Sequence, residues 1–244
     1  MRYLLKFSYD GTNYNGYQNQ PGMNTIQGCL EAAVQKVNNG LHASVVATGR
    51  TDKGVHALSQ YAHVDLIINI TEKKLKRALN SNLPSDIHII EAKIVDDNFH
   101  ARYYVKEKEY KYYINIGEYN PLERNYIFQY NHDLDIKQME KAIKYFLGEH
   151  DFRAFVTENK DKENCIRTIT KSTIEEINGK IVFTFRGSGF LRYQIRNMVG
   201  LLIRVGENKI FPETVEKILE SKDRTKSGKT APPEGLYLTE ITFN

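Results

Sequence analysis

The sequence predicts an α+β protein of two successive halves, with largely antiparallel sheet and helices on one face. Three observations lead there. Runs with strand-like, period-two alternation occur throughout the chain. Each half sets two or more amphipathic helical stripes among those strands. Long crossover helices are too few for a doubly wound parallel sheet. The halves meet near residues 105–108, at the charged run Lys106-Glu107-Lys108-Glu109, which gives domains 1–105 and 106–244. No internal repeat is visible, so any kinship of the halves is architectural.

Residues 3–9 read as the first strand, and Asp10-Gly11-Thr12-Asn13-Tyr14-Asn15-Gly16 as a loop of turn formers. A helix follows, with Asn24 and Gln27 spaced as a capping box and Ile26, Leu30, Ala33, Val34 and Val37 at helical spacing. Residues 44–48 read as a strand. So do residues 58–66, with Leu58, Ala62, Val64 and Leu66 sharing one face. Residues 71–80 form a short helix closed off by Pro84, and residues 87–95 and 99–104 read as strands. In the second half, residues 109–116 are a strand. Asp135 opens a helix with Gln138 as its box partner. Its stripe is Ile136, Met139, Ile143, Phe146 and Leu147, and Gly148 ends it. Strands are expected at 167–177 and 180–186, a helix at 193–205, and a last helix from Pro212. Residues 222–233 make a basic loop, and residues 236–243 a final strand.

Composition narrows the function classes. The chain has 244 residues, 41% hydrophobic and 26% charged, as in a soluble globular protein. No apolar run approaches the ~20 residues that span a bilayer. The N-terminus shows no apolar signal region, so no signal peptide is expected. Two lone cysteines, Cys29 and Cys165, fit a reducing cytoplasm and lack metal-ligand spacing. The seven histidines form no His-Glu-x-x-His pair, so a metal site is not expected. Net charge is +4. Arg102, Lys106, Lys108 and Lys111 lie among Tyr103, Tyr104, Tyr110, Tyr112 and Tyr113, and Arg186, Arg192, Arg196 and Arg204 form a second cluster. Basic side chains mixed with aromatics suit a phosphate backbone with splayed bases. They equally suit a solvated strand face with cross-strand tyrosines.

The most informative run is Gly49-Arg50-Thr51-Asp52-Lys53-Gly54-Val55-His56-Ala57. Its two glycines let the backbone turn sharply. A carboxylate two residues after an arginine can be kept ionised and aimed. By itself, Asp52 before Lys-Gly is an ordinary turn residue. Its company, with Arg50 and His56 on the same turn, points to chemistry.

This run resembles the signature of the tRNA pseudouridine synthase A family. Further stretches resemble that family in the same order. They are Tyr9-Asp10-Gly11-Thr12-Asn13-Tyr14-Asn15-Gly16-Tyr17-Gln18-Asn19-Gln20, Thr25-Ile26-Gln27, Phe99-His100-Ala101-Arg102 and Lys108-Glu109-Tyr110-Lys111-Tyr112. Then come Gly148-Glu149-His150-Asp151-Phe152, Arg167-Thr168-Ile169, Gly189-Phe190-Leu191-Arg192, Arg196-Asn197-Met198-Val199-Gly200 and Gly235-Leu236-Tyr237-Leu238. Any one piece is weak, but the ordered set is specific and spans nearly the whole chain.

The resemblance implies two ferredoxin-like or RRM-like halves with a central RNA-binding cleft. It implies a uridine isomerase that breaks the N1–C1′ bond, turns the uracil and joins C5 to C1′, without cofactor or metal. The implied substrate is tRNA at positions 38 to 40 of the anticodon stem-loop, and the implied working form is a homodimer. Asp52 is the implied catalytic residue, by covalent attack or by proton abstraction from C2′. Arg50 would help displace the target base. Tyr110 would pack on that base, Arg196 would pair with the catalytic carboxylate, and Leu236 would line the apolar side of the pocket. His56 and Thr51 would brace the turn. Gln194 departs from the family, which more often has an apolar residue there. Action on another RNA such as ribosomal RNA, or RNA binding without catalysis on the same scaffold, stays open at this point. A small-molecule enzyme has little support, because no nucleotide fingerprint appears.

Overall fold

The structure is a computed structural model that describes residues 1–156 and 164–244. Its contacts divide the chain into two compact units, Met1–Lys106 with Tyr237–Asn244, and Glu107–Leu236. The first unit is built on β1 (Arg2–Tyr9), β2 (Val46–Ala47), β3 (His56–Asp65), β4 (Ile87–Ile94), α1 (Ile26–Val37) and α2 (Glu72–Asn80). Its sheet order is β4-β1-β3, with β2 also on β3. β1 is antiparallel to both neighbours. It alternates strictly, burying Tyr3, Leu5, Phe7 and Tyr9. The last strand, β10 (Leu236–Phe243), pairs parallel to β3 through Tyr237↔His56 and Leu238↔Ala57. The sequence order puts that strand after the second half, yet its contacts place residues 237–244 in the first unit.

The second unit holds β5 (Val105–Asn115) from Glu107 onward, with β6 (Phe128–Gln129), β7 (Gly148–Asp151), β8 (Ile166–Ile177) and β9 (Lys180–Gly187). The sheet order is β5-β9-β8-β7, antiparallel throughout, with β6 parallel on β5. β8 and β9 are joined by Asn178 (φ 53) and Gly179 (φ 72). Two successive positive φ angles at Asn-Gly match the type I′ hairpin, whose twist suits the flanking strands. Helices α3 (Ile136–Ile143) and α4 (Gln194–Gly206) pack together, and α5 (Thr214–Ser221) completes the unit. The expected class, α+β with largely antiparallel sheet, is the observed one.

Several local expectations change. The cap of α1 is Thr25 rather than Asn24, because the Thr25 hydroxyl accepts from the Gly28 amide. Asn24 instead donates to the Asn13 carbonyl, and Gln27 accepts from the Asn19 amide. Leu58 does not share the buried face, being 52% exposed. The cause is a β-bulge: the register between β1 and β3 shifts between Phe7 and Tyr9. One extra residue on β3 reverses the alternation on that side of the shift. Residues 99–104 are a run of turns rather than a strand, with the Tyr103 and Tyr104 amides both donating to the His100 carbonyl. Residues 44–48 shrink to the two-residue β2, and the last helix starts at Thr214 after Pro212. Asp135 caps α3 as expected, accepting from the Gln138 amide.

Candidate active site

The run from Gly49 to Ala57 forms a turn leading into β3. Gly54 takes φ +77 and the Val55 amide donates to the Asp52 carbonyl at 3.2 Å. Asp52 is partly exposed and Arg50 is exposed. The turn is gripped from two directions, both within the first unit.

On one side the loop after β1 lies backbone-to-backbone against it. The Tyr17 amide donates to the Thr51 carbonyl at 3.1 Å. A Cβ on Gly16 (φ +89) would stand 2.9 Å from the Thr51 carbonyl oxygen. One on Gly11 would stand 2.1 Å from the Val55 carbonyl oxygen. Only glycine permits that approach. His56, 2% exposed, accepts from the Gly11 amide through Nδ1 at 3.1 Å. The same nitrogen lies 3.2 Å from Asp10 Oδ1, and the ring stacks on Tyr237 at 4.6 Å.

On the other side is a buried polar network. The Tyr9 and Thr51 hydroxyls are hydrogen-bonded at 2.8 Å. The Thr48 hydroxyl donates to Gln60 Oε1 at 2.5 Å, and Gln60 Nε2 donates to the Gly49 carbonyl at 3.2 Å. Gln60 is fully buried. Burial pushes the Tyr9 phenol up to about 12, so it stays a neutral hydroxyl. The residues before and after Arg50 are thus held by hydrogen bonds, while Arg50 itself is exposed and Asp52 partly exposed.

The other expected site residues lie in the second unit. Tyr110 on β5 is buried, with Phe190 edge-on at 5.4 Å. Next to it, Glu109 accepts from the cross-strand Arg186 at 2.9 Å. Arg196, in the first turn of α4, donates from Nε to the Ala231 carbonyl at 2.7 Å, while the Ala231 amide donates to the Arg196 carbonyl at 3.0 Å. The Tyr112 hydroxyl donates to the Pro232 carbonyl at 2.7 Å. Gly235 sits so close to the Tyr113 carbonyl that a Cβ would stand 2.6 Å from it. One segment, 231–236, is therefore tied both to the strand of Tyr110 and to the helix of Arg196, and it ends at buried Leu236. Burial raises the Glu234 carboxyl above its ordinary range, against the pull of Arg196.

Gln194 is fully buried, and its Oε1 accepts from the Leu191 amide at 2.8 Å. A polar residue is accommodated there because its amide closes the turn before α4. Sequence reasoning did not single out Tyr9, Gln60 or Tyr193. Tyr9 stood in the first family-like stretch, but Gln60 carries no signal, since one polar residue in a strand has no period to reveal it. Among the described residues no three of His, Cys, Asp and Glu are grouped as metal ligands. Among them, too, no helix is long and apolar enough to cross a membrane.

A family model described as tRNA pseudouridine synthase matches residues 7–104 and 142–244. The chain is 41% identical over 247 residues to tRNA pseudouridine synthase A of Limosilactobacillus reuteri, covering 99% of this chain and 96% of that protein. It is 41% identical over 245 residues to the protein of that name from Streptococcus pneumoniae, covering 99% and 98%. The one from Pseudothermotoga lettingae is 41% identical over 244 residues, covering 99% of each. The matched segments contain Asp52 and its whole two-sided grip, together with Arg196 and Leu236. The chain belongs to the tRNA pseudouridine synthase family.

Proposed function

We infer that this chain isomerises uridine to pseudouridine in tRNA, at positions 38–40 of the anticodon stem-loop, with Asp52 as the catalytic residue. The reaction breaks the N1–C1′ bond and forms C5–C1′. N1 gains a proton, C5 loses one, and no redox change occurs. The observation that carries the reading is the placement of Asp52, partly exposed on a turn whose neighbours are buried and hydrogen-bonded. A partly exposed carboxylate on a held backbone suits attack on, or proton removal from, a flipped nucleotide. Arg50 serves to displace the base from its stem. Tyr110 serves as its stacking partner, a contact of about 1–3 kcal/mol per base. Arg196 serves as the cation for the carboxylate, and Leu236 as apolar lining. In this reading the working form is a homodimer, as the family resemblance suggests, and it acts in the cytoplasm, which two lone cysteines fit.

The test is chemical mapping of pseudouridine after incubating an anticodon stem-loop with the protein. Wild type should convert the uridines at 38–40, and Asp52→Asn should lose at least about 10³-fold in rate, the scale seen when a reacting group is removed. Equal product from both would reject Asp52. Conversion of ribosomal RNA alone would move the substrate. Salt-sensitive binding without product would leave a binding protein. Sedimentation of the purified chain at the mass of one copy would reject the dimer.

A further inference from the structure

The chain enters α4 through a tight turn, Leu191 to Gln194. The Gln194 amide donates to the Leu191 carbonyl at 3.1 Å, and the Gln194 side chain returns a bond to the Leu191 amide at 2.8 Å. The third residue of this turn, Tyr193, has φ 62 and ψ 0. Arg192 is not among the positive-φ residues. This is the pattern of a type II turn, which asks for glycine or asparagine at its third position. Tyr193 is also the N-cap of α4, where Asn, Ser or Asp would be favoured, and its side chain makes no capping bond. On both local grounds tyrosine is a poor choice. A bulky residue in the left-handed region persists where the side chain has something to do.

Its ring has two charged neighbours. The Arg196 guanidinium carbon lies 5.1 Å from the ring centroid and that of Arg192 lies 5.0 Å away. A cation over a tyrosine ring is held by the ring's quadrupole. Arg196 is also fixed at Nε by the Ala231 carbonyl. Ring and carbonyl together restrict a side chain that would otherwise sample many rotamers.

We propose that Tyr193 is a positioning residue that fixes the Arg196 guanidinium for catalysis, at the expense of backbone strain. The proposal rests on the reading that Arg196 serves the isomerisation. It makes an unusual demand: a substitution that relaxes the backbone should harm the reaction. Asparagine suits both the left-handed conformation and the N-cap, but it has no ring.

The experiment measures kcat, KM and Tm for Tyr193→Asn and Tyr193→Phe, with an anticodon stem-loop as substrate. Tyr193→Asn should lower kcat about tenfold or more, the scale expected when a reacting group is loosened. KM should stay within about threefold and Tm should equal or exceed that of wild type. Tyr193→Phe keeps the ring and should restore kcat. On an Arg196→Lys background, Tyr193→Asn should add little further loss, because it acts through Arg196. Wild-type kcat in Tyr193→Asn overturns the proposal, as does a kcat loss matched by a fall in Tm. Fully additive loss on the Arg196→Lys background overturns it as well. A wild type that makes no pseudouridine overturns the function reading together with the proposal, and the wild-type control reveals which has failed.

Discussion

Thr51 is held twice, through its carbonyl by Tyr17 and through its hydroxyl by Tyr9, and its neighbour is Asp52. A carboxylate on so short a tether inherits the order of the backbone beneath it. Tyr9→Phe removes one hydroxyl from a buried pair and leaves the other short of a partner, at a cost of about 1–3 kcal/mol. The expected outcome is a lower urea midpoint together with a lower kcat, measured on the same preparation. A separate residue, His63, sets a pH dependence of stability. Burial, with help from the Arg2 and His100 charges, lowers its imidazole to about 4. Its ordinary value is near 6.5, so between about pH 6.5 and 4 the unfolded chain binds more protons than the folded one. Stability therefore falls as pH drops through that window and is unaffected by this group above it. His63→Gln should flatten the urea midpoint against pH over the same range, and an unchanged slope would reject the assignment. Tyr193 belongs at this scale too: a left-handed non-glycine residue costs on the order of 1–3 kcal/mol, which the surrounding turn must hold in place.

The elements show which local signals are reliable. β1 was legible because its alternation is unbroken, and α3 because Asp135 both begins the pattern and makes the capping bond. The cap of α1 lies one residue beyond the expected Asn24 because Asn24 and Thr25 are both good caps, and only the fold decides which hydrogen-bonds the helix. Thr25→Ala should cost about 1 kcal/mol, read from the denaturation midpoint. Leu58 departs from the expected face because a bulge depends on the partner strand, which the sequence of β3 does not contain. α4 makes a close contact of its own. A Cβ on Gly200 would stand 1.9 Å from the Lys229 carbonyl oxygen. Gly200→Ala must separate the helix from the segment that binds Arg196, so about 1–3 kcal/mol of stability should be lost, and activity with it.

At the scale of the whole molecule the chain leaves the first unit, completes the second, and returns to the first with its last strand. Residues 237–244 are therefore part of the unit that carries Asp52 and not a dispensable tail. Tyr237 stacks on His56, inside the Asp52 motif. A chain ending at residue 236 should lower Tm and lose pseudouridine formation, whereas trimming a free terminus would change neither. The net charge of +4 is modest, so RNA affinity should depend on local clusters such as Arg192 and Arg196. Affinity for a stem-loop should fall with salt, with a slope of about −0.7 to −0.9 per phosphate contacted.

The sequence by itself determined the α+β class, the motif around Asp52 and the family, because alternation, helical stripes and ordered motifs are properties of consecutive residues. It marked Arg50, Asp52, Tyr110, Arg196 and Leu236 by residue type and by likeness. Only the tertiary structure decided what holds them. Tyr9 and Thr51 are 42 residues apart, Arg196 and Ala231 are 35 apart, and Tyr112 and Pro232 are 120 apart. Hydrogen bonds of that span leave no periodic mark in a sequence. They form because the folded backbone brings distant donors and acceptors together in a space that water no longer fills.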